Sequence, residues 1–116
     1  IGSAFIATHE ARASDAYKQA IVDGSSDDVV YSNLFTGVHG NYLAPSIRAA
    51  GLDPENLPES DPSKMNFGGS AAAKAWKDIW GCGQGIGAVD AVTSTADLVA
   101  RLRREYQAAR ERLALR

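Results

Sequence analysis

The chain has 116 residues, 12 Lys and Arg against 14 Asp and Glu, a formal net charge of −2 and 45% hydrophobic residues. That length allows one domain with a modest core, and that hydrophobic content excludes a disordered chain. The weak negative charge gives no electrostatic attraction to nucleic acid or anionic lipid, and no run reaches the roughly 18 apolar residues of a membrane span.

Taken in chain order, Ile1–Thr8 is an apolar run broken by Gly2-Ser3, and it predicts a strand leading into a helix. Small residues at the ligand end of a strand let an anion approach the main chain, and Ser adds a hydroxyl donor. Gly2 and Ser3 are therefore candidate phosphate-binding residues, set against a plain packing role. Thr8 or Ser14 can cap a helix with Ala16, Tyr17, Ala20 and Ile21 on one face and Gly24 as its stop. Residues 28–33 read as extended, and Leu34–Gly40 as a turn-rich loop. Asn41 can cap a helix through Ala50, with Pro45 in its first turn and Gly51 as its stop. Pro, Ser, Asp and Gly from Leu57 to Ser70 predict a loop, and Ala71–Trp80 returns to helix.

Ser94-Thr95-Ala96-Asp97 resembles a capping box with Asp in place of Glu, and a long helix follows it. Val99, Leu102, Tyr106, Ala109 and Leu113 form one apolar stripe along that helix, with arginines mainly around it. The stripe is expected to dock on the rest of the protein. A coiled-coil partner would use the same pattern over more heptads than are present.

Gly81-Cys82-Gly83-Gln84-Gly85-Ile86-Gly87-Ala88 is the second segment with chemical potential. It satisfies the letters of a dinucleotide fingerprint, but that motif needs a strand before it, and a helical pattern precedes this one. Alternating glycines let a backbone press against a flat ligand, and the Gln84 carboxamide can donate and accept hydrogen bonds to it. Gln84 and Gly85 are therefore candidates for a ligand pocket, against a purely conformational role. His39 reads as a loop-packing histidine, because no carboxylate or nucleophile sits at a revealing spacing. The acidic residues have no EF-hand spacing and no His/Cys cluster exists, so no metal site is expected. Cys82, the single cysteine, can form neither an internal disulfide nor a C-x-x-C pair, which suits a reducing cytoplasm. No basic neighbour marks it as a reactive thiol.

The GSAFIAT opening, EARASDAYKQAIVD at 10–23, the block VVYSNLFTGVHGNYLAPSIRAAGLDPENLPESDPSKMNF at 29–67, and KAWKDIWGCGQGIGAV at 74–89 together resemble the C-terminal part of the bacterial nitronate monooxygenases. These flavoenzymes were formerly called 2-nitropropane dioxygenases. The resemblance implies an α/β fold, here the last strand and helix of a (β/α)8 TIM barrel plus a mostly helical lid. Residues 1–27 would be the last barrel strand and its helix, 28–93 the lid, and 94–116 a helix docking on the barrel. It also implies an FMN cofactor and oxidation of alkyl nitronates by dioxygen to carbonyl compounds and nitrite. Gly2 and Ser3 would hold the FMN phosphate, and Gln84 and Gly85 would line the flavin or substrate pocket. His9 stands where family members commonly carry an acidic residue and is not expected to be catalytic. The histidine that such enzymes use as base belongs to an earlier segment, so no catalytic residue is expected in this chain. The expected partners are the nitronate, dioxygen and the remainder of the barrel, and a homo-oligomer is compatible with them. Two alternatives stand beside this reading. One is a quinone or enoyl reductase of the same barrel superfamily, and the other is a non-catalytic helical interaction module.

Overall fold

The structure, a computed structural model, describes residues 1–57 and 77–114. Its elements are α1 (Gly2–Ile6), α2 (Asp15–Asp23), β1 (Val29–Ser32), β2 (Gly40–Leu43), α3 (Ala44–Ala49) and α4 (Thr95–Leu113). Single 3₁₀ turns lie at Ser26–Asp28 and Ile86–Ala88.

The barrel expectation is overturned. Among the described residues the one sheet is a two-stranded antiparallel hairpin, Val29 opposite Leu43 through Ser32 opposite Gly40, with no barrel strands. The opening residues form a short helix, in which the Phe5 N–H donates to the Ile1 carbonyl and the Ala7 N–H to the Ser3 carbonyl, each at 3.3 Å. An apolar run of this length satisfies either period, and with no neighbouring strand to pair with, its backbone bonds are satisfied locally. What remains of the expected strand is one parallel bridge between Thr8 and Thr93. There the Thr93 N–H donates to Ala7 and the His9 N–H donates back to Thr93.

The helix expected from Asn41 is also corrected. Asn41–Leu43 belongs to β2, and α3 begins at Ala44 with Pro45 in its first turn. Pairing with β1 and with residues beyond α3 outweighs the local signal. The Leu43 N–H donates to the Trp80 carbonyl at 2.8 Å and the Cys82 N–H to Asn41 at 3.1 Å, so residues 80–82 run antiparallel along the free edge of β2. The Ser46 hydroxyl fastens the same corner, donating to the Leu43 carbonyl at 2.8 Å and accepting the Trp80 N–H at 3.0 Å.

Helix ends follow their caps. Ser14 caps α2 by accepting the Tyr17 N–H, and Ser94 caps α4 by accepting the Asp97 N–H. Gly51 ends α3 with φ +87°, which a residue with a side chain rarely adopts. Gly24, just past α2, has a second role. A Cβ there would meet the Ala20 carbonyl oxygen at 2.9 Å and Ile86 Cδ1 at 3.0 Å, so the missing side chain lets Ile86 reach the core.

That core is the cluster Ala7, Ile21, Leu43 and Ile86, one residue from each of four segments, with Tyr17, Val29 and Trp80 packed around it. The loop expected over 57–70 and the helix expected over 71–80 lie outside the described residues, apart from Leu57 and residues 77–80, where the helix ends at Asp78 and Trp80 instead bonds to β2.

The long helix is held differently from the expectation. Leu98 is its buried residue, whereas Val99, Tyr106 and Leu113 of the apolar stripe are 51%, 65% and 79% exposed. Its N-terminus is clamped by Glu10, whose carboxylate accepts the Thr95 N–H at 2.8 Å. A negative charge there also suits the helix dipole. No described helix is long and apolar enough to cross a membrane.

Two outcomes follow from these contacts. Ile21→Ala leaves a cavity where four segments meet and should lower the unfolding free energy by about 2–5 kcal/mol, read as a reduced urea midpoint at unchanged slope. The hydrogen bonds from Thr95 hold the Glu10 carboxyl below its ordinary value. A carboxylate with a depressed folded-state pKa stabilises above its unfolded pKa, and the contribution is lost as pH falls through the folded one. The Thr95 amide resonance should therefore shift in NMR spectra below the ordinary titration range of a glutamate. A midpoint at or above that range would contradict the clamp.

Candidate functional site

Ser3 and the glycine-rich segment, 80 positions apart, meet in space. The Gly83 N–H donates to Ser3 Oγ at 2.7 Å. Ser3 is buried on α1 and acts here as an anchor, its oxygen holding the Gly83-Gln84-Gly85 loop in place. A Cβ on Gly83 would lie 3.3 Å from that oxygen, tighter than ordinary contact, so the glycine lets the loop come in close.

Beside this junction is an open cavity of about 670 Å³, within the range of small-molecule sites. Ser3, Gln84 and Gly85 all lie on its wall, with Val89, Leu98 and Leu102 as apolar lining. Gln84 is exposed and makes no hydrogen bond among the described residues, so both functions of its carboxamide are open to a ligand. A Cβ on Gly85 would meet nothing within 4 Å, which leaves its backbone approachable from the cavity.

Gly2 is not on this wall. It is exposed, at the start of α1, and a Cβ there would meet nothing within 4 Å. Three of the four expected residues are thus brought together and the fourth is not.

Two arginines of α4 complete the wall. Arg101 is held by carboxylates, with Nη1 3.2 Å from Asp90 and Nε 2.8 Å from Glu105. The Glu105 hydrogen bond, followed by the Asp90 charge, raises its pKa. Arg104 makes no ion pair among the described residues and is the cation on this wall that a ligand can engage. The sequence places it among the arginines around the apolar stripe, and only the course of α4 past the glycine loop singles it out.

His39 lies elsewhere, stacked on Tyr31 with ring centroids 4.6 Å apart. His9 is exposed, and its carbonyl accepts a bond from Lys18 Nζ. No group of three or more His, Cys, Asp or Glu side chains among the described residues could hold a metal ion.

Cys82 is half-buried behind the glycine loop. Burial, followed by the Asp28 charge, pushes its thiol up to about 11, the opposite of what a nucleophilic thiol needs. Beside it Tyr17, whose hydroxyl donates to the Gly81 carbonyl, also has its pKa raised by burial and then by Cys82.

A comparison with protein-family models found no match. Comparisons with curated proteins and with solved structures found none either.

The Cys82 environment has a direct readout. Only about one thiol in a thousand should be ionised at pH 8, so its alkylation by iodoacetamide should rise about tenfold per pH unit up to about pH 10. A rate that levels off below pH 9 would show a thiol activated in a way this packing does not allow.

Proposed function

We propose that this chain is the flavin-contacting part of an FMN-dependent oxidoreductase that acts on alkyl nitronates. The observation that carries the reading is the junction of Ser3 with Gly83, Gln84 and Gly85 on one cavity wall. Two segments 80 positions apart, each with its own capacity for ligand chemistry, meet there. The resemblance of residues 2–106 to the nitronate monooxygenases supplies the cofactor and substrate class.

Gln84, the backbone at Gly85 and Arg104 are the groups that an FMN-like ligand would use. Arg104, which makes no ion pair among the described residues, would meet the phosphate, on a wall that also carries Asp90, Asp97 and Glu105, the first and last of them engaged by Arg101. The bare backbone at Gly85 and the apolar faces of Val89, Leu98 and Leu102 would accept a flat ring, as glycines and aliphatic side chains do. Gln84 would orient either a ring edge or the nitro group of the substrate, donating through its N–H and accepting through its oxygen. Ser3 takes no direct part. It keeps the loop in the position from which Gln84 and Gly85 face the cavity.

Bound FMN would supply the redox chemistry by which a nitronate and dioxygen become a carbonyl compound and nitrite. The role of this chain is to bind and orient. The base is proposed to lie in another part of the enzyme, and a reducing cytoplasm suits the free thiol at Cys82.

Titration of the chain with FMN, followed by quenching of flavin fluorescence, tests the reading. Arg104→Gln should weaken binding several-fold, and Gly2→Val should leave it unchanged because Gly2 lies off the cavity. In the flavin-loaded enzyme Gln84→Leu removes both hydrogen-bonding functions at similar volume, a loss of about 1–3 kcal/mol. It should lower kcat/KM for a nitronate about 5- to 150-fold. No FMN binding by the chain, or unchanged kinetics in the Gln84 variant, would overturn the assignment.

A further inference from the structure

A second cavity, of about 970 Å³, is bordered by Gly81, and its wall is rich in aromatic rings. Tyr17 and Trp80 stack face to face, with centroids 4.9 Å apart and planes at 5°. Phe35 and Tyr42 meet edge to face at 5.0 Å and 69°. All four rings border this cavity. The Tyr17–Trp80 side of this wall is held by the fold itself. The Tyr17 hydroxyl is tied to the Gly81 carbonyl, and the backbone of residues 80 and 82 is bonded to β2.

The polar groups on the same wall are Arg12, Lys77, Asp78 and His39, together with the hydroxyls of Ser14 and Thr36. Neither Arg12 nor Lys77 makes an ion pair or hydrogen bond among the described residues, and one carboxylate, Asp78, stands against the two cations. Thr36 is occupied within its own turn and Ser14 with capping α2. The unengaged groups are therefore the rings, two cations and one carboxylate, an excess of one positive charge.

We propose that this cavity binds a planar aromatic anion, an aryl carboxylate in chemical class. Its ring would lie against the Tyr17–Trp80 and Phe35–Tyr42 walls, and its carboxylate would be met by Arg12 and Lys77. Aromatic walls favour a flat unsaturated body over a puckered aliphatic one, through offset and edge-to-face contacts. Arginine holds a carboxylate in two parallel bonds and lysine holds it as a point charge. The site is separate from the cavity at Ser3 and Gln84, and it stands or falls independently of the flavin reading.

The test is isothermal titration of the full chain with 2-naphthoate, beside 2-naphthylmethanol as a neutral analogue and cyclohexanecarboxylate as a non-aromatic one. The naphthoate should bind, and both analogues should bind more weakly. Arg12→Gln and Lys77→Gln, both at exposed positions that should leave the circular dichroism spectrum unchanged, should each lower affinity about 2- to 5-fold. Added salt should weaken binding to the unmodified chain more than to the double variant. Equal binding of the neutral analogue, or indifference to both substitutions, would overturn the proposal. Displacement of the naphthoate by FMN, together with sensitivity to Arg104→Gln, would place the ligand in the other cavity and overturn it as well. Absence of naphthoate binding up to millimolar concentration would do the same.

Discussion

The burial of Ile86 against Ala7, Ile21 and Leu43 is the contact on which the rest of the molecule depends. Each residue comes from a different segment, and none of those segments has a hydrophobic face large enough to fold alone. Short helices and a two-stranded hairpin are marginal in water by themselves. They persist here because one aliphatic side chain, admitted by the missing Cβ of Gly24, gives the four a common centre. The glycine loop just before Ile86 is thereby drawn toward α1. The same packing positions residues 80–82 along β2, so both cavities owe their walls to it.

Polar contacts then refine what the core assembles. Ser46 binds the Leu43 carbonyl and the Trp80 N–H together, and Ser3 receives the Gly83 N–H. Both serines are buried, and each joins its own segment to a backbone group remote in sequence. Among the described residues no buried side-chain polar atom lacks a hydrogen bond. The chain thus uses hydroxyls to join segments where a larger domain would use longer strands.

Local features were legible in the sequence, and non-local ones were not. Ser14, Gly51 and Ser94 act within one turn of themselves, and their residue types announce those roles, whereas the room that Gly24 leaves for Ile86 is a long-range contact. Ile1–Ile6 misled because a short apolar run fits a strand or a helix, and what decides between them is a neighbour remote in sequence. Asn41 misled for the same reason, since its pairing with Tyr31 and its bond to Cys82 outweigh its aptitude as a cap. Ser3, Gln84 and Gly85 could be chosen by chemistry, but the bond that unites Ser3 with the loop has no sequence signature. Arg104 and the Tyr17–Trp80 stack could not be found at all. One looked like any solvent-facing arginine, and the other pairs a core position of a helix with the end of a distant segment.

The long-range ties have a kinetic meaning. Tyr17 bonds Gly81 across 64 residues, Ser3 bonds Gly83 across 80, and Glu10 bonds Thr95 across 85. Helix-rich chains of this size commonly fold fast because most of their contacts are local. Here the decisive contacts close very large loops, and the entropy of closing them precedes any reward from packing. The helices can flicker into place early, yet the cooperative step must wait for the two halves to find each other. In that respect these ties set the chain apart from a helical bundle, whose contacts run mostly between neighbours in sequence.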